Sequence, residues 1–434
     1  MRDMVLAPLI VALAAYGLLH PWVGILGWTW LSLMNPHALS WHMSQLPVAA
    51  TMAIATLLGV LLTRDRRAFF VTRETVVLML FMLWMCITLP FSFHFEPSFG
   101  LWNRVMKIDL MVLVATVVLY SKKHTTALVW VLVGSIGFYG IKGGIFTLLT
   151  GGSYRVWGPS GSYIEGNNEV ALALVMIIPL MRFLQLTTES VWVKRGLFWS
   201  MLLCAAAALG SHSRGAFLAI LAMALVFWWR NDRKFIGAVL MLVAGIALLS
   251  FMPAEWWTRM ETIGTYKEDA SANGRINAWW MAWNLAKSNL LGGGFMVYEP
   301  DMFARYAPDP LDIHAAHSIY FMVLGEHGFI GLFLFLLLWF SVWFSAGHLR
   351  VQGKKLPQTL WLSHLGAMCQ VSLAGYAVGG AFLSLSYYDL PYNVLVLVVV
   401  GRRWLEGREW IKDDAQASAL QAEQLASNAK PAQP

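Results

Sequence analysis

"DIHAAHSIYFMVLGEHGFIGLFLFLLLWFSVWFSA" occupies residues 312–346. As a helix, the part from His317 to Ala346 would be about 45 Å long, against a hydrocarbon core of about 30 Å. The run therefore crosses a membrane, and its first turns stand at or above one interface. His317 sits there. His327 would lie about 15 Å deeper and about 80° away around the helix. The two histidines can share a site only if the helix breaks at Gly325 or Gly328.

Apolar runs of this kind recur along the whole chain, at 4–34, 46–62, 75–95, 101–120, 124–149, 168–186, 195–210, 214–230, 234–252, 317–346, 358–383 and 389–404. Of the 434 residues, 58% are hydrophobic and 13% charged, where a soluble domain carries about 25% charged residues. Mean hydropathy is +0.59. The expectation is an all-α polytopic membrane protein of about twelve transmembrane helices. Many of the 22 tryptophans fall near span ends, where an amphipathic ring favours the interface. The net charge of +7 is spread between spans and forms no patch, which argues against nucleic acid as a partner. Cys86, Cys204 and Cys369 lie inside apolar runs, so neither a disulfide nor a cysteine metal site is expected. The first run is read as a retained span kinked at Pro21, although "HPW" at 20–22 offers a place to split it.

Loop charge sets the topology. "TRDRRAFFVTRE" (63–74), "SKKH" (121–124), "VKR" (193–195), "WWRNDRK" (228–234), "HLRVQGKK" (348–355) and "GRRWLEGREWIK" (401–412) are basic. "FSFHFEPSFG" (91–100) and "SLSYYD" (384–389) carry no Lys or Arg. The basic loops fall on every second connection, so they are cytoplasmic, as are both termini. The organisation expected is an N-terminal bundle (1–149), a second group of spans with polar outward turns (150–252), a periplasmic loop (253–316), C-terminal spans (317–404) and a disordered cytoplasmic tail (405–434). The large loop reads as two short helices, 254–263 and 273–289, the second capped by Ser271 or Asn273.

Chemistry-bearing residues gather on the outward side. His317 reads either as an interfacial histidine bonded to a carbonyl or as a general base, an imidazole half-sheltered at the watery edge. His314 and His317, at i,i+3, could hold a metal, but no HExxH motif or cysteine pair accompanies them. Arg214, in "GSHSRGAFLAI", defies both the positive-inside rule and the helix dipole. Such a cation needs a compensating anion, and a guanidinium at a helix N-terminus makes a phosphate site; the alternative is snorkelling to headgroups. Arg275, in "SANGRINAWWMAW", repeats the arrangement, with Trp279, Trp280 and Trp283 expected at the interface. Two outward arginines and an outward histidine would suit a pyrophosphate and a hydroxyl. Lys142, Arg155, Asn167, Asn168, His314 and Tyr320 are secondary substrate-binding candidates; the two asparagines could equally cap a helix. No DxD pattern and no P-loop appears. A transporter or channel would place ionisable groups near mid-bilayer and repeat its spans, and neither pattern is visible.

"GRINAWWMAWNLAKSNLLGGGFMVY" (274–298) followed by "HAAHSIYFMVLGEHGFIGLFLFL" (314–336) resembles the signature of the O-antigen ligase and polymerase superfamily. The likeness runs from about residue 150 to 345. The first part of the chain, with "GIKGGIFTLLTGGSYRVWGPSG", is similar to a subgroup described as O-glycosylation ligases of exosortase-containing genomes. The resemblance implies a fold like that of membrane GT-C glycosyltransferases, in the bacterial inner membrane with a periplasmic active site. It implies an enzyme that moves a glycan from undecaprenyl pyrophosphate to a lipid A-core sugar, without a metal or other cofactor and with inversion. The family's two functional arginines correspond to Arg214 and Arg275, and its histidine to His317. "HS" at 317–318 departs from the family's commoner "HN". A protein O-oligosaccharyltransferase or an O-antigen polymerase would use the same donor.

Overall fold

A computed structural model describes residues 2–40, 42–43, 46–63, 66, 68–230, 234–261 and 270–411. Among these residues the regular elements are all helical: α1 (Arg2–Leu19), α2 (Pro21–Met34), α3 (Val48–Leu62), α4 (Arg73–Thr88), α5 (Phe95–Val118), α6 (Lys122–Leu149), α7 (Asn167–Thr187), α8 (Val191–Gly210), α9 (Arg214–Arg230), α10 (Lys234–Leu249), α11 (Ala254–Glu261), α12 (Ala270–Ser288), α13 (Pro300–Tyr306), α14 (Ile319–Gln352), α15 (Leu360–Gly379) and α16 (Asp389–Glu406). The part of the expected tail beyond residue 411 lies outside the described residues.

Among the described residues six segments are long and apolar enough to cross a membrane: Arg73–Phe91, Lys122–Leu149, Asn167–Thr187, Val191–Gly210, Ile319–Gln352 and Pro357–Phe382. Asp3–Leu19, Val48–Leu62 and Arg214–Trp229 are apolar but shorter. The remaining expected spans are present as helices at the positions read from the sequence, as α2, α5, α10 and α16.

The first run departs from expectation. Residues 2–34 do not form one kinked helix. The chain leaves helical geometry at His20 (φ −129°, ψ 84°) and folds back, so that α1 and α2 pack on each other and both pack on α3. A Cβ on Gly17 would come 3.0 Å from the Cα of Gly24. Proline at the first position of a helix costs no hydrogen bond, so Pro21 starts a new helix as readily as it bends an old one.

At the centre stand α7 and α16, buried almost all the way round. A helix apolar on every face belongs inside a bundle. Around them α6 packs on α7 and α8, and α15 on α7, α9 and α14. Small residues set the closest approaches, as expected of helices that meet in lipid. A Cβ at Gly144 of α6 would lie 2.3 Å from the carbonyl oxygen of Leu203 in α8.

The two ends of the bundle differ in character. At one end the basic connections meet. Arg402 pairs with the buried Glu74 at 3.2 Å, and Arg403 donates to the carbonyls of Thr116 (2.6 Å) and Ala68. At the other end the lysine-free loops interlock. The Phe93 N–H donates to the Gly293 carbonyl (3.0 Å), and that of Val156 to the Gly210 carbonyl (3.1 Å). This second end holds the candidate site.

Candidate active site

The site is built on the start of α14. Residues 312–317 are irregular, and the helix begins at Ile319, so His317 precedes the span. His314 and His317, three residues apart, both lie in this irregular stretch. The His317 backbone is left-handed, with φ +41°, a conformation that costs a non-glycine residue about 1–3 kcal/mol. Three contacts hold the strand of chain there. The His317 N–H donates to Ser384 Oγ (3.1 Å), the Trp279 indole N–H to the Ala316 carbonyl (2.7 Å), and Ser386 Oγ to the Ile319 carbonyl (3.0 Å).

Upstream, Asn277 of α12 clamps the loop. Its Nδ2 donates to the carbonyls of Asp309 and Asp312, each at 2.8 Å, and its Oδ1 accepts from the Asp309 N–H (2.9 Å). Trp279 also stacks flat on Phe321, centroids 4.9 Å apart. It therefore faces the protein, contrary to the expected row of interfacial tryptophans; Trp280 and Trp283 are exposed. α12 already includes Ala270, so Ser271 and Asn273 lie inside it and do not cap it. Arg275 accordingly falls beyond its first turn.

The half-buried Arg275 guanidinium is close enough to His317 to oppose its protonation. Burial first, then the charges of Arg275 and His314, push the His317 imidazole down to about 4. His317 is thus held neutral, and its Nδ1 is buried without a hydrogen-bond partner among the described residues. His314 sits against Gly274, where a Cβ would come 2.2 Å from its ring, and its Nε2 meets Asp312 Oδ1 at 2.8 Å. Glu169, in the first turn of α7, lies within electrostatic reach of Arg275.

Arg214 opens α9 after a turn made by "SHS". Ser213 caps the helix by accepting the Ala216 N–H (3.2 Å), and His212, at φ +58°, meets the Gly152 carbonyl through Nε2 (2.8 Å). Asn167 ties this turn to α7 by donating Nδ2 to the Ser211 carbonyl (2.7 Å). It is the first residue of its helix, capped by Gly166, so its side chain links two elements and does not cap. Asn168 beside it is half-buried. Next to Arg214, Gly215 packs on Phe382, while Gly380 packs on Ile319. The 379–384 turn therefore stands between Arg214 and the start of α14.

Other candidates lie elsewhere. The Tyr320 hydroxyl donates to the Ala377 carbonyl (2.8 Å), and its ring lines an apolar cavity of about 210 Å³ with Trp339 and Tyr376. Lys142, on α6, and Arg155, in the loop after it, are exposed. His327 is fully buried, 2.9 Å from Thr88 Oγ1 and edge-on to Phe295. The helix does break beside it, at Gly328 (φ +66°, ψ −169°), where a Cβ would come 2.3 Å from the Leu290 carbonyl oxygen. The break serves packing. The neighbouring Glu326 accepts from the Met296 N–H (3.1 Å) and the Tyr387 hydroxyl (2.6 Å), and so pins the glycine-rich 292–296 turn.

Among the described residues no three His, Cys, Asp or Glu side chains are grouped to hold a metal. Sequence reasoning passed over Ser384, Asn277 and the inward role of Trp279, each of which acts on a partner distant in sequence.

Residues 199–336 match the model of a family described as O-Antigen ligase, and residues 1–189 match a family of unknown function, DUF5935. No curated protein matches the chain. The ligase match spans Arg214, Arg275, His314, His317 and Tyr320, so the segment that holds the candidate site is similar to the O-antigen ligase family.

Proposed function

We propose that the protein is a glycosyltransferase of the bacterial inner membrane that moves an O-antigen glycan from undecaprenyl pyrophosphate to a lipid A-core sugar hydroxyl, on the periplasmic side. The observation that carries this reading is His317, held in a left-handed conformation by Ser384 and Trp279 within electrostatic reach of Arg275, inside the segment matched by the ligase family. Arg275 and Arg214 bind the pyrophosphate through charge-assisted hydrogen bonds and offset the charge that grows as the C1–O bond breaks. His317 takes the proton from the acceptor hydroxyl while that oxygen bonds to C1, and the bonding pair leaves on the lipid pyrophosphate. The imidazolium then returns its proton to water. One displacement inverts C1.

Pyrophosphate bound at Arg275 also cancels the charge that keeps His317 acidic. Donor binding thereby strengthens the base at the moment it is needed. Asn167 supports the Arg214 turn, Asn168 and His314 border the substrates, and the Tyr320 cavity takes part of the polyprenyl chain. Lys142 and Arg155 attract the anionic donor from a distance.

A deletion strain tests the acceptor. Loss of long-chain lipopolysaccharide with accumulation of lipid-linked polymer supports the ligase. Loss of a glycoprotein band points to protein transfer, and short-chain product alone to polymerisation.

A further inference from the structure

A cavity of about 730 Å³ lies between α2, α3, α5 and the 161–164 loop, and Tyr388 closes it. Two cations line it, Arg104 and Lys107, one helical turn apart on α5. Arg104 lies about 13 Å along the helix from Phe95. Neither forms an ion pair among the described residues. The Arg104 guanidinium lies over the Tyr163 ring at 4.9 Å and within electrostatic reach of its hydroxyl. The buried Asp389 accepts from Ser32 Oγ (2.5 Å) and lies within electrostatic reach of Arg104, while Lys107 has no carboxylate partner among the described residues. Cations at this depth in an apolar helix are costly unless something anionic meets them.

A second observation points the same way. Tyr388 is 2% exposed and lines the cavity, yet its hydroxyl has no hydrogen-bond partner among the described residues. A buried hydroxyl left unsatisfied costs about 1–3 kcal/mol. The opposite wall is shaped for hydrocarbon. Ala49, Ala50 and Ala53 of α3 leave a slot, and Ile54 and Leu110, both exposed, form its apolar rim. A soluble anion would have to lie against that apolar wall.

We infer that this cavity binds one anionic membrane lipid, its phosphate on Arg104, Lys107 and Tyr388 and its chain in the alanine slot of α3. The site is separate from the Arg275–His317 pair and does not rest on the glycan-transfer reading.

Purified full-length protein can be titrated with phosphatidylglycerol, phosphatidylcholine and inorganic phosphate, and bound species counted by native mass spectrometry. One phosphatidylglycerol should bind at least tenfold more tightly than phosphatidylcholine. Arg104→Gln with Lys107→Gln should erase that preference, and Ala53→Trp should weaken binding of phosphatidylglycerol. His317→Ala should bind as the parent does, which separates this test from the catalytic one. Should the double variant fail to fold, Lys107→Gln alone and Ala53→Trp give the same readout. Unchanged preference in the charge variants, or displacement of lipid by equimolar inorganic phosphate, overturns the inference.

Discussion

The indole N–H of Trp279 donates to the carbonyl oxygen of Ala316 at 2.7 Å and so fixes to α12 the residue that precedes His317. The next N–H, that of His317 itself, is held by Ser384 from the opposite side. Between them these bonds hold a left-handed histidine that the chain would otherwise relax.

Ser384→Ala and Trp279→Phe should each lower kcat by about tenfold while leaving KM for the donor near the parent value, because a displaced base slows chemistry more than binding. Ser384→Thr keeps the hydroxyl and should restore most of the rate. Steady-state kinetics in proteoliposomes gives both parameters; a rise in KM with kcat unchanged would show that these bonds do not position the base.

The pH dependence has a definite sign. His317 is lowered from 6.5 to about 4 in the fold. Between those values the unfolded chain binds a proton that the folded chain does not. The contribution of this residue to stability therefore falls as the medium is acidified through that window and is constant above it. For activity, kcat/KM should hold from pH 7 downward and fall only near pH 4. The acid limb of kcat should lie higher, since bound pyrophosphate offsets Arg275. Arg275→Gln should move the kcat/KM limb upward, because it removes a charge that opposes protonation.

Arg275→Lys and Arg214→Lys keep the charge but lose the planar fork. Each should reduce kcat/KM by about 10- to 100-fold, the value of one charge-assisted hydrogen bond. Initial rates with lipid-linked donor at sub-saturating concentration check this.

Glu326→Ala should act on stability alone. It strands the Met296 N–H and the Tyr387 hydroxyl, both now paired with the carboxylate. The cost should be about 2–4 kcal/mol, seen as a lower melting temperature in detergent.

Much of this architecture is written in the order of residues. Hydrophobic runs with basic ends located the helices within a few residues; α6, expected at 124–149, is Lys122–Leu149. Arg214, Arg275 and His317 stood out because each is a polar group where apolar surroundings or a helix terminus disfavour it. Other features have no local signature. The fold-back at His20 depends on the contact of Gly17 with Gly24, and Pro21 alone is compatible with a bend or a new start. The three indoles of "WWMAW" share their chemistry; only the presence of Phe321 and the Ala316 carbonyl turns Trp279 inward. Ser384 is one serine in a loop without charge, and its partner lies 67 residues away. Arg104 and Lys107 carry no local signal of a site, because α3 and Tyr388, which enclose the space in front of them, are distant in sequence.

The most direct test is turnover by His317→Ala in proteoliposomes carrying undecaprenyl pyrophosphate-linked glycan and lipid A-core acceptor. The account predicts loss of transfer by at least a hundredfold, with donor binding retained through Arg214 and Arg275. Transfer at the parent rate by a correctly inserted His317→Ala protein would contradict it.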